Sequence, residues 1–412
     1  MKICVIGYGS AAATSLIAID QFIKERNLKT VEVTCIHDPK TPTIKVGEST
    51  SAKFAETVAG LFGITNLYNN KKEFIKIINN FDGTLKQGTK FYWKKAHGNN
   101  FTINLSEQSF GLHLNSITFG SFIIKYIKKK NSYFNIIKTK VKDLTQDGNG
   151  VKVYCGKNVY EYDFVIDCRG IPEKTDLKDY SLPDTDFVNS VILYSKPVKN
   201  KTDNYTSATV HRNGWMFSIP LRNKTTWGYL YNNKITSSKE AIKEFSRIKK
   251  IKASKLRSFF WNQQFKKQAM EGRVLSLGNR LNLLEPTGAL ALHYYLKLLL
   301  TVLPDIMHED GNYINFTYTS AIANRFHLES IQKMQDIIAI NYCGMNNIKS
   351  AFWDYAKRKS NERLKNSADF KRWLHNYRNN RLTSYWDFSY NYFLSYINGY
   401  RINLGTKNVD VI

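Results

Sequence analysis

The sequence predicts an α/β fold: a Rossmann-type, hydroxylase-like sheet, with an antiparallel sheet and a helical C-terminal region added to it. Three observations predict it. Residues 2–6 (KICVI) are a short apolar run that meets a glycine turn, after which 10–26 has helical spacing and 31–36 (VEVTCI) is a second apolar run, together a βαβ unit. Alternating stretches near 187–196, 206–211, 214–219 and 225–231 predict a separate antiparallel sheet. From about residue 287 onward the spacing turns helical. A chain of 412 residues that is 42% hydrophobic can bury the core this assembly needs, which excludes global disorder. No internal repeat or low-complexity linker divides it. We expect 1–290 to form a nucleotide-binding module with the antiparallel sheet interleaved, and 291–412 a helical substrate-side region.

Within the first turn, Gly7-Tyr8-Gly9-Ser10-Ala11-Ala12 matches GxGxxA. Gly7 permits a tight turn, Gly9 lets the backbone approach a pyrophosphate, and Ala12 lets the helix pack closely on the strand. The helix N-terminus then faces the anion. A ribose-binding carboxylate is expected at the end of the second strand, where Asp38 stands; a turn role before Pro39 is the competing reading. Next come a helix at 117–130 and strands at 133–138, 151–155, 158–162 and 164–168, with Gly148 and Gly150 in a turn. Two returning segments, VIDCRG with Asp167 and Gly170, and VLSLGN with Gly278, end later strands. A simple NAD domain would finish within its first 150 or so residues, so FAD, built from segments 1–60, 160–172 and 272–290, is the better reading.

Charge and cysteine content bound the remaining possibilities. Sixty Lys and Arg against 34 Asp and Glu give a net charge of +26, which points to an anionic partner such as nucleic acid. The most basic segment, 356–381, interleaves Trp373 and Tyr377, but no nucleic-acid module accompanies it, and abundant Lys, Asn, Ile and Tyr also fit an AT-rich genome such as a phage's. The five scattered cysteines, never in a CxxC pair, argue against a disulfide framework or a zinc site and fit a reduced cytoplasm. The apolar N-terminus reads as the first strand and helix rather than a signal peptide. The longest other apolar stretch, Tyr294 to Leu303, carries Lys297 and is about half of what a membrane span needs.

Four segments together resemble the flavin-dependent tryptophan halogenase family. IKVGEST at 44–50 is similar to the family's VGEAT strap, and carries Gly47, Glu48 and Ser49 as flavin contacts. TLKQGTKFYW at 84–93 resembles the segment with the catalytic lysine, which falls on Lys86. GWMFSIP at 214–220 matches GWxWxIP, with Trp215, Ile219 and Pro220 in place and Phe217 where a second tryptophan is expected. LLEPTG at 283–288 resembles PLESTG, placing Glu285 at the catalytic glutamate and Thr287 and Gly288 at the halide site. The order holds from residue 1 to about 230 and from 272 to about 355.

The chain departs from the pattern between Trp93 and a helix expected near 114. The tryptophan-specific members carry a longer insertion there, over the indole. Phe101 and, in the C-terminal SYWDFSYNYF, Trp386 are the residues left to contact a substrate, and free tryptophan is a doubtful one. His113 reads as a satisfied core histidine. The resemblance implies reduced FAD, oxygen and a halide (chloride, bromide or iodide) yielding hypohalous acid, which passes through an internal channel to Lys86. Trp215 and Phe217 would block direct hydroxylation, and Glu285 would take the proton from an electron-rich aromatic substrate. No segment is assignable to NADH, so the resemblance implies FADH2 from a separate flavin reductase. A homo-oligomer is possible. An FAD-dependent aromatic monooxygenase and a basic nucleic-acid binder are the alternatives.

Overall fold

The computed structural model describes residues 1–41, 47–93, 100–172, 178–198, 203–307, 314–343, 348–400 and 402. Ile44, Lys45 and Val46 of the strap segment, and residues 94–99 of the shortened insertion, lie outside them.

The βαβ unit forms as the apolar spacing predicts: β1 (Lys2–Ile6), α1 (Ser10–Glu25) and β2 (Glu32–His37). Strand β1 is the middle of a parallel array, with β2 on one side and Phe164–Asp167 on the other. Phe134–Lys138 extends the array beyond β2 and Val274–Ser276 beyond Phe164–Asp167. Ile3, Cys4 and Val5 are fully buried, as strands covered on both faces should be. The two returning segments thus join the sheet of the first strand, one beside it and the other one strand further out, although more than 150 residues of chain separate each from it.

The antiparallel sheet has seven strands rather than the four that alternation shows. Ser190–Pro197, Lys224–Tyr231, Gly214–Pro220 and Tyr205–His211 are its centre, and Arg257–Phe260 is one edge. On the other side it gains two strands from early in the chain, Gly88–Tyr92, pairing parallel with Tyr205–His211, and Phe101–Asn104. A third sheet was not anticipated: β3 (Gly47–Ser49), β4 (Thr84–Lys86) and β5 (Gly111–Asn115). The chain near 114 is therefore a strand, and the helix begins at Ser116, where the Asn115 side chain accepts from the Ile117 amide.

The C-terminal region is helical as expected, with helices Leu290–Ile306, Phe316–Cys343, Ala351–Asn366, Ala368–Arg378 and Tyr390–Gly399. The apolar stretch at 294–303 proves to be part of a longer helix, and Thr287–Ile306 is long and apolar enough to cross a membrane by length and composition. In this structure Leu296, Leu299 and Val302 are fully buried, and the helix packs between α1 and Phe316–Cys343. One hydrophobic cluster runs from Ile3 through this helix to Tyr400. In the basic segment Trp373 is only 3% exposed, packed on Tyr377 and Phe393, so its ring is core and not a platform for a base.

Candidate active site

The small sheet carries the lysine. Strand β5 is its centre, pairing Ser49 and Thr84 with opposite edges of His113, and Lys86 with Gly111. Thr50, just past β3, is clamped to β5 twice, its amide donating to the Leu112 carbonyl at 2.8 Å and its hydroxyl accepting from the Leu112 amide at 2.8 Å. That fixes the Thr50 carbonyl, which accepts from Lys86 Nζ at 3.2 Å. A Cβ at Gly111 would lie 2.5 Å from this carbonyl oxygen and 3.4 Å from Lys86 Cδ, so the lysine's path needs a glycine opposite it. Lys86 is 6% exposed, and burial pulls its amine down to about 8.

The signature strand braces the same sheet from below. Ile219 packs on Gly47, where an added Cβ would come within 3.0 Å of its Cγ2. The Pro220 carbonyl accepts from the Thr84 hydroxyl at 2.8 Å, two residues before Lys86. His113 is fully buried between the Thr84 hydroxyl (3.2 Å from Nδ1) and the Thr206 hydroxyl (2.9 Å from Nε2), and Thr206 meets Ser49 at 2.9 Å. It is a hydrogen-bonded core histidine that ties the strap to the lysine strand, a connection no local pattern revealed. Trp215 and Phe217 share one face, their rings 6.4 Å apart, and the Phe217 ring lies across Gly228, where a Cβ would fall 2.2 Å from it.

The glutamate sits at a helix entrance. Glu285 is 4% exposed, and its Oε1 accepts from the Thr287 and Tyr342 hydroxyls, each at 2.5 Å. Its Oε2 is buried with no hydrogen-bond partner among the described residues. Burial pushes the carboxyl up to about 7, against the opposing pull of Thr287, Tyr342 and Trp215. Gly288 and Ala289 are both left-handed, at φ 77° and 59°. Only glycine adopts this without strain, so Ala289 holds a costly conformation at the turn. No side chain caps the helix that follows, and its first N–H groups are of the kind that bind an anion.

The nucleotide cradle fits FAD. Gly7 has φ 131°, and a Cβ there would lie 2.8 Å from the Cys168 carbonyl oxygen. Among the described residues a Cβ at Gly9 would meet nothing within 4 Å and no side chain caps α1, an arrangement that leaves the backbone and helix N-terminus to a phosphate. Ala12 is fully buried, and Gly278 presses on Ala11, where an added Cβ would come within 2.8 Å. Ser10 Oγ and Glu48 Oε2 are buried and face each other, with no well-formed hydrogen bond to other described residues, polar atoms that a ligand here would satisfy. Burial pushes Glu48 up to about 7.

Two expected cofactor contacts are engaged elsewhere. Asp38 stands at the end of β2, but its carboxylate accepts from the Lys40 amide at 2.8 Å and the Thr41 hydroxyl at 3.2 Å, which is the turn role. Asp167 is held by Arg169 Nε and Nη2 at 2.9 and 2.8 Å and by Arg280 at 3.3 Å, which keep its carboxyl low despite burial. It fastens one returning segment to the other. Phe101 stacks on Phe91 with centroids 4.5 Å apart and meets Tyr400 edge-on, so it lies within an aromatic cluster. Trp386, left-handed at φ 52°, packs edge-on to His293, whose Nδ1 meets Ser51 Oγ at 2.8 Å and whose Nε2 meets Asp387 at 2.9 Å.

The fold recurs in solved structures. A tryptophan halogenase from Shewanella frigidimarina NCIMB 400 superposes with a TM-score of 0.80 at 16% identity, covering 100% of this chain and 90% of that one. Xcc4156, a flavin-dependent halogenase from Xanthomonas campestris, gives 0.80 at 15% identity over 98% and 89%. By sequence, tryptophan 7-halogenase RebH from Lentzea aerocolonigenes is 20% identical over 202 residues, which is 45% of this chain and 37% of that protein, so the match spans little more than a third of the relative's length. The tryptophan halogenase family model matches residues 2–107 and 96–394. Nearly the whole chain answers to that model, and the protein belongs to the tryptophan halogenase family of flavin-dependent halogenases.

Proposed function

We propose that this protein halogenates an electron-rich aromatic substrate, with Lys86 and Glu285 as its catalytic pair. The Gly7 to Ala12 turn and the strap residues Gly47, Glu48 and Ser49 would hold FAD, which in reduced form would supply the reducing equivalents that turn oxygen and halide into hypohalous acid. A separate flavin reductase would provide FADH2. The backbone at Thr287 and Gly288 would hold the halide. Lys86 would then bind the oxidant, by hydrogen bond or as a haloamine. Both roles need an amine that is partly neutral near pH 7 to 8, as the burial of Lys86 provides. Glu285 would stabilise the cationic ring and accept its proton. Residues 1–290 serve as the FAD module and 291–412 as the substrate side.

The observation that carries this reading is that both motif residues are buried ionisable groups displaced toward neutrality, Lys86 downward and Glu285 upward. The test is an assay with FAD, a flavin reductase, NADH, oxygen and bromide or iodide on indole or phenol. Halogenated product is expected, and Lys86→Ala should abolish it. Hydroxylated product formed equally well without halide would replace this reading with a monooxygenase.

A further inference from the structure

We propose that Tyr342 is a positioning residue for Glu285, that Trp215 of the signature strand sets its direction, and that the catalytic proton is consequently carried on Oε2. This rests on the reading of Glu285 given above. Tyr342 lies at the end of helix Phe316–Cys343, fully buried, its ring against Phe187 (4.3 Å) and Trp353 (5.8 Å). The indole Nε1–H of Trp215 is a donor only, and it contacts the Tyr342 hydroxyl at 2.8 Å. The phenolic oxygen must therefore accept, and its own hydrogen points at Glu285 Oε1, 2.5 Å away.

The Thr287 hydroxyl, also at 2.5 Å, fills the other lone pair of Oε1. One carboxylate oxygen is thus saturated by two donors while Oε2 has no partner among the described residues. Once the new carbon–halogen bond has formed, the ring's C–H electron pair returns to the aromatic system and the proton passes to Oε2, not to Oε1. Trp215 acts chiefly through Tyr342, its direct pull on the carboxyl being weaker than that of Tyr342, so the signature tryptophan has a proton-directing part here besides filling the face beside Phe217.

The test compares wild type, Tyr342→Phe, Trp215→Phe and the double variant. Tyr342→Phe keeps the buried ring and removes one donor to the carboxylate. The carboxyl stretch of Glu285, assigned in infrared difference spectra against Glu285→Gln, should titrate about one pH unit higher, a shift of the size one charge-assisted hydrogen bond supports. The acid limb of the kcat profile on indole should move with it, at unchanged KM. Trp215→Phe should shift the midpoint the same way but less, and the double variant should fall short of the sum of the two single shifts. An unmoved midpoint in Tyr342→Phe, or additive shifts in the double variant, would overturn the proposal. Full activity in Glu285→Gln would instead sink the catalytic reading and leave the titration result standing.

Discussion

Lys86 and Glu285 are both buried and both driven toward their neutral forms, yet they are held in opposite ways. The lysine comes from a three-residue strand, and among the described residues its amine donates to a single carbonyl, that of Thr50. The glutamate comes from a turn, and one of its oxygens is gripped by two hydroxyls. In the proposed roles, a group that takes up and releases an oxidant would be served by few competing contacts, and one that receives a proton from one direction by a pinned carboxylate. The difference is in the partners, since burial is nearly equal at the two sites.

The largest effect should come at the loosely held end. Lys86→Ala should lower halogenation at least 10³-fold, within the range of roughly 10²–10⁴ for loss of a positioned acid–base group. Flavin binding, followed by the quenching of its fluorescence, should be unchanged. Glu285→Gln keeps the shape and removes the base, and a smaller loss of about 10²-fold in kcat is expected. Equal losses in both variants would erase the distinction between the two ends.

The two sites should also leave mirror-image marks on stability. Lys86 falls from 10.5 to about 8, so the unfolded chain binds the extra proton between those values, and stability rises with pH across that window. Glu285 rises from 4.5 to about 7, so the folded protein binds the extra proton, and stability falls as pH rises from 4.5 to 7. Each window spans about 3 kcal/mol at 1.36 kcal/mol per unit. Urea unfolding should show the alkaline slope flattened in Lys86→Met and the acid slope flattened in Glu285→Gln. Unaltered slopes would mean that neither group is as desolvated as its burial implies.

How far these features were legible in the sequence follows the same division. Strand β1, helix α1 and strand β2 are long and apolar enough to declare their period, and the GxGxxA turn sits where they place it. Lys86 and Glu285 were singled out through their motifs alone, and their burial was not visible there. Their partners were not. Strands β3 and β4 have three residues each, too few to show alternation, and Tyr342 meets Glu285 from 57 positions away on a helix whose face only tertiary packing selects. Asp38 and Asp167 were read from position at a strand end. Position does not reveal that a backbone turn holds the first and two arginines the second.

The smallest effect expected tests how firmly the signature strand holds the lysine strand. Thr84 is buried, and its hydroxyl joins the Pro220 carbonyl to His113. Thr84→Val keeps the shape but leaves that carbonyl and the His113 Nδ1 without this partner, at a cost of about 1–3 kcal/mol. At roughly 1 °C per kcal/mol for a chain of 412 residues, the thermal midpoint should fall by about 1–4 °C. Activity should drop less than tenfold, because the clamp of Thr50 on Leu112, which presents the lysine's carbonyl, remains intact. A collapse of activity as deep as that of Lys86→Ala would mean that Lys86 is held through Thr84 and the signature strand, not through the strap, and the two ends of the site would then be equally constrained.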